Sequence, residues 1–167
     1  MINLTTFTIV HVVISLIGIG SGFVVMVGLL TGRRLNGWTA VFLVSTVATS
    51  VTGFFFPFHK FTPAHGVGII SLVVLAVAFL ARYSFHFSGA WRWIYVVSAV
   101  VALYLNVFVL IVQVFQKVPV LKEMAPTQSE PPFLFTQLFA LGLFVALAIV
   151  GAIRFRIEPL RTSVRAA

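Results

Sequence analysis

Four histidines, two glutamines and one asparagine carry most of the chemistry this chain can offer within its apolar stretches, and their spacing is lopsided. His59 and His65 flank the turn His59-Lys60-Phe61-Thr62-Pro63-Ala64-His65, and His11 lies in a separate apolar stretch. An imidazole kept neutral by burial or by the positive end of a helix is a metal ligand. With no cysteine in the chain, a set of His11, His65 and His59 suits a b-type haem held by two imidazoles, or a copper or zinc ion held by three. Phe54, Phe55, Phe56, Phe58 and Phe61 crowd the same zone and would pack on a porphyrin. Imidazoles at helix ends are also ordinary at a membrane surface, so His59 and His65 have a bland reading beside the functional one. His86 falls away from the others and reads as a solvated interface residue.

A second set is neutral. Asn106 and Gln113 are seven residues apart, which places them on one helix face. Thr49 and Thr52 share a face elsewhere, and Gln137 stands alone. Gathered together, Thr49, Thr52, Asn106, Gln113 and Gln137 would wall a polar pocket. Taken singly, they are interhelical hydrogen bonds worth about 0.6–2 kcal/mol each, and for Asn106 and the threonines that plainer reading is favoured. Gly18-Ile19-Gly20-Ser21-Gly22 is not a nucleotide loop, because no strand precedes it. Gly18 and Gly22 are instead four apart, the small-residue spacing at which membrane helices pack closely.

The elements that must position these residues are membrane helices. Of 167 residues 60% are hydrophobic and only 8% charged, with three glutamates and no aspartate. That leaves too little polar surface to coat a water-soluble domain. Five continuous apolar segments approach the ~20 residues a bilayer crossing requires: about 7–30, 38–58, 62–82, 88–115 and 132–154. They are unbroken rather than alternating, which excludes barrel strands. The expected fold is therefore all-α, one domain spanning 1–167, an integral membrane bundle of five helices. A loop over 116–131 contains three prolines, and one or two amphipathic turns at 119–125 would turn Val120, Leu121 and Met124 to lipid.

Basic residues orient the bundle. Arg33, Arg34, Arg82, Arg92, Arg154, Arg156, Arg161 and Arg165 fall on one side, against Lys60, Lys117 and Lys122 on the other. The amino terminus is expected outside and the carboxyl terminus in the cytoplasm, so the histidines and amides belong to the outer leaflet. The net charge of +8 then reports topology and attraction to anionic lipid rather than nucleic-acid binding. The first segment lacks the basic start of a secretory signal and is expected to be retained.

The turn His59–His65, followed by Gly66-Val67-Gly68 and an apolar span ending in Arg82-Tyr83, resembles a group of small uncharacterised polytopic proteins of the bacterial inner membrane. A second similarity is to cytochrome b561-like bundles, in which histidines from separate helices hold two haems. That likeness implies one outer haem b on His11 with His65 or His59. It implies no inner haem, because the cytoplasmic side has no membrane-embedded histidine.

No nucleophile–base set, phosphate loop or metalloprotease signature is present. The absence of intramembrane carboxylates disfavours ion-coupled transport. Three functions follow as expectations. The first is a non-catalytic accessory or assembly subunit of a larger membrane complex, with respiratory or redox complexes among the candidates, whose partners are the lipid bilayer and other subunits or further copies of itself. The second is a haem- or metal-binding redox protein. The third is a channel or carrier for a small neutral solute.

Overall fold

The computed structural model describes residues 4–56 and 63–155, and among them every regular element is a helix. The order is α1 (Leu4–Thr31), α2 (Asn36–Gly53), α3 (Pro63–Phe79), α4 (Trp91–Lys117), α5 (Pro119–Met124) and α6 (Pro131–Arg154). A π-helical turn, Leu80–Ser84, prolongs α3. His59 and Thr62 lie outside the described residues, as do Arg156, Arg161 and Arg165.

Four stretches are long and apolar enough to cross a membrane: Leu4–Thr31, Ala64–Ser84, Trp91–Lys117 and Pro131–Arg154, with mean hydropathies between 2.4 and 2.5. The intervening α2 has 18 residues, a length of about 27 Å at 1.5 Å per residue. It is poorer in apolar residues because it carries Thr39, Ser45, Thr46, Thr49, Ser50 and Thr52. Most of these hydroxyls are satisfied within their own helix. Ser45 donates to the Val41 carbonyl at 2.6 Å, Ser50 to Thr46 at 2.9 Å and Thr52 to Ala48 at 2.6 Å. A hydroxyl bonded to its own i−4 carbonyl can face hydrocarbon without an orphaned donor.

Packing is cyclic. The helix α1 lies along α2, α2 against α3, α3 against α4, and α4 returns to α1, while α6 covers the groove between α1 and α4. The ring closes on a core of Val25, Met26, Leu29, Phe42, Leu43, Leu75, Tyr95, Val96, Val100 and Leu103. Two glycines of α1 make this closeness possible. A Cβ on Gly22 would stand 2.5 Å from Leu103 Cδ1 and 3.0 Å from the Phe42 ring, and one on Gly18 would meet the Ser45 and Thr46 hydroxyls at 3.2 and 3.3 Å. Gly151 similarly lets α6 approach Val96 and Leu29.

The bundle has two chemically different ends. One carries the starts of α1 and α3 and, with them, His11 and His65. The other carries the α1–α2 and α3–α4 connections with Arg33, Arg34, Arg82 and Arg92. At the histidine end, α5 is a short surface helix rather than a free amphipathic turn. Val120 and Met124 are exposed, but Leu121 turns inward to the small cluster of Phe115, Ala125 and Phe133. Glu130 ties this loop together. Its carboxylate accepts hydrogen bonds from the Thr127 amide and hydroxyl, at 3.1 and 2.8 Å, and from the Ser129 amide at 3.1 Å. Desolvation raises its pKa, but these bonds together outweigh it and leave the carboxyl below its ordinary value.

Candidate functional site

At the histidine end, His11 and His65 both meet the C-terminal end of α2. His11 Nδ1 stands 2.8 Å from Thr52 Oγ1. The Thr52 hydroxyl has one proton, and the Ala48 carbonyl 2.6 Å away takes it. A neutral His11 ring therefore donates from Nδ1 and keeps its lone pair on Nε2. The ring of Phe56 meets it edge-on, with centroids 5.0 Å apart and planes at 85°. His65 is buried at 9% exposure and packs on the Phe54 ring, with centroids 5.8 Å apart. Phe54 also rests against Gly68, where a Cβ would stand 3.1 Å from its ring. The two histidines thus touch different aromatic residues of one segment, and their parent helices do not form a packed pair. Among the described residues, no three of His, Cys, Asp or Glu are grouped to hold a metal.

The neutral set divides. Asn106 Nδ2 donates to Thr46 Oγ1 at 3.2 Å, and both belong to the α1–α2–α4 contact beside Gly18. Thr52 serves His11. Gln137 is buried and donates to the Phe108 carbonyl at 3.3 Å, tying α6 to α4. Thr49 Oγ1 is buried with no hydrogen-bond partner among the described residues. Gln113 is exposed. The helices α2 and α4 run the same way, so seven residues beyond the Asn106–Thr46 contact Gln113 lies level with Gly53, where α2 ends. Asn106, Thr52 and Gln137 therefore each tie a different pair of helices together. Two cavities among the described residues lie at the ends of the bundle. One of about 440 Å³ opens beside α5 between Phe115, Gln116, Lys122 and Thr127; the other, of about 10 Å³, is at the arginine end.

That arginine end is the more elaborate construction. Arg82 sits in the π-helical turn and is buried at 9% exposure. Its Nη2 donates to Asn36 Oδ1 at 2.7 Å, across the gap from α3 to the start of α2. The guanidinium carbon lies 5.4, 5.6 and 5.7 Å from the ring centroids of Tyr83, Phe87 and Tyr95. Rings at this distance attract a cation through their quadrupoles, by about 2 kcal/mol or more where water is excluded. Tyr95 is buried, and its hydroxyl lies within hydrogen-bond reach of both Arg82 and Thr39.

Backbone geometry of uncommon kinds assembles this cage. A π turn inserts one extra residue into a helix and often occurs at functional positions. After it, His86 and Phe87 both take positive φ, at 48° and 62°, a conformation costing non-glycine residues roughly 1–2 kcal/mol each. The result carries the Phe87 ring back under the bundle against Tyr95, Phe155, Arg82 and Arg34. On the α1 side, Gly32 with φ of 71° ends the helix. Its amide bonds to the Leu29 carbonyl and that of Arg33 to the Gly28 carbonyl, the paired bonds of a Schellman cap. This cap delivers Arg33 and Arg34 to the rim of the small cavity, which Thr39, Arg82, Tyr95 and Phe155 also line.

Sequence reasoning placed Arg82 only as a basic residue at a helix end. Its burial and its bond to Asn36 were missed; the one available signal was an arginine followed by aromatic residues at 83, 87 and 95. Compared with protein-family models, with curated proteins and with solved structures, the chain matches none of them.

Proposed function

We propose that this chain is a non-catalytic, multi-pass subunit of the bacterial inner membrane, serving the assembly or stability of a larger membrane complex. In this reading α2 makes a fifth crossing, the amino terminus lies outside, and the arginine end faces the cytoplasm. The observation that carries it is how the interior polar side chains are used. His11 is engaged by Thr52, Asn106 by Thr46, Gln137 by the Phe108 carbonyl and Ser50 by Ser71. A binding pocket keeps such groups pointed at a ligand; here they join helix to helix. Meanwhile α6 turns Phe135, Leu138 and Phe139 outward at 70%, 62% and 75% exposure, a face for lipid or a neighbouring membrane helix. The solute-carrier reading would need polar side chains that here join separate helix pairs to line one path. The haem reading would pair His11 with His65, whose helices do not form a packed pair, or with His59, which lies outside the described residues.

Gentle extraction of the tagged chain from its native membranes, followed by mass measurement and an absorption spectrum, tests this proposal. The expected particle contains other membrane subunits in fixed ratio and shows no haem band traceable to this chain. A lone monomer overturns the proposal, and a Soret band that is lost in His11→Ala replaces it with the haem reading.

A further inference from the structure

We infer that the arginine end holds a binding site for one phosphate-bearing anion, formed by Arg33, Arg34 and the caged Arg82. A guanidinium removed from water needs a compensating charge or a complete set of acceptors. Arg82 has neither among the described residues. Asn36 Oδ1 accepts from Nη2 and the Tyr95 hydroxyl lies within reach, while Nε is buried with no hydrogen-bond partner among the described residues. The described carboxylates, Glu123 and Glu130, belong to the loop at the opposite end.

Arg34 adds a second positive charge close by. Its guanidinium carbon lies 5.1 Å from the centroid of Phe87, the ring that Arg82 also shares. Arg33 completes the set, since it lines the same cleft with Arg34 and Arg82 and, like Arg34, is exposed. Like charges held together by fixed turns repel one another and focus a positive field on the space they share. The cleft itself, at about 10 Å³, has room for about one water. The anion therefore binds at the rim, on the forks of Arg33 and Arg34, with Arg82 fixed beneath. Forked guanidinium donors match phosphate oxygens in pairs, which favours a phosphate group over a halide. Its position at a membrane-helix end suits either the headgroup of an anionic phospholipid or a free phosphate.

Full-length protein in an uncharged detergent is titrated with short-chain phosphatidylglycerol, with inorganic phosphate, and with chloride at matched ionic strength. Thermal unfolding and the fluorescence of Trp91, which stacks on Phe85 at this end, report binding. A saturable rise in Tm beyond the chloride control is expected. It comes from phosphatidylglycerol alone if the source is lipid, and from inorganic phosphate as well if it is not. Because Arg82→Gln also disturbs the packing at this end, the decisive variant is Arg33→Gln with Arg34→Gln, both at exposed positions. It should raise the half-saturating concentration roughly tenfold or more, while Lys117→Gln with Lys122→Gln leaves it unchanged. No saturable effect, or equal half-saturation in the double arginine variant, overturns the inference. So does Glu158→Gln lowering the ligand-free Tm as far as Arg82→Gln, because the chain would then supply its own counter-charge.

Discussion

A buried arginine held by an amide and three aromatic rings differs in kind from the other polar residues of this bundle. The pairs Asn106–Thr46 and Ser50–Ser71 join neutral groups, and such bonds in membranes average about 0.6 kcal/mol. The Arg82–Asn36 bond has a charged donor, for which about 1.5–3 kcal/mol is typical. Removing Asn36 leaves that charge with still fewer acceptors. Asn36→Ala is therefore expected to destabilise the protein by about 2 kcal/mol, and Asn106→Ala by less than half of that, measured by unfolding in mixed detergent. Equal losses would mean that Arg82 draws on solvent. This contrast was not legible in the sequence. Depth assigns every arginine here to a helix end, and burial of one of them depends on a π turn and on two left-handed residues, His86 and Phe87, whose side chains do not announce that conformation.

Helices were the most legible features. Apolar runs with terminal arginines or prolines located all the long helices, because membrane solvation acts on mean composition and needs no knowledge of neighbours. Facing was harder to read. Seven-residue spacing put Asn106 and Gln113 on one side of α4, yet only Asn106 has a helix opposite it, since α2 ends at Gly53. Leu121 likewise turns inward because Phe115 and Phe133 are there to receive it. The contact of α1 with α2 and α4 rests on glycine. Leu103 and Phe42 are each 1% exposed and have little room to retreat from a new side chain at position 22. Gly22→Val should cost about 1–3 kcal/mol from overpacking. Gly20→Val on the same helix meets open space and should cost less than 1 kcal/mol. Equal unfolding midpoints for the two variants would show that α1 is not held at this distance.

At the scale of the whole molecule, the two ends carry different residues: the arginines gather at the α1–α2 and α3–α4 connections, and α5 lies at the opposite end. The four long apolar helices are long enough to span by themselves. With α2 as a fifth crossing, the connections bearing arginine share one side and α5 lies on the other. The proposed scaffold role depends on this arrangement. The chain contains no cysteine, so single cysteines can be labelled without background. Gly37→Cys and Ser88→Cys mark the arginine end, and Ala64→Cys and Lys122→Cys the histidine end, all at exposed positions. An impermeant maleimide added to intact cells should label positions 64 and 122 and spare 37 and 88 until the membrane is opened. Labelling of 37 and 64 from the same side would contradict the account, because α2 would then not cross.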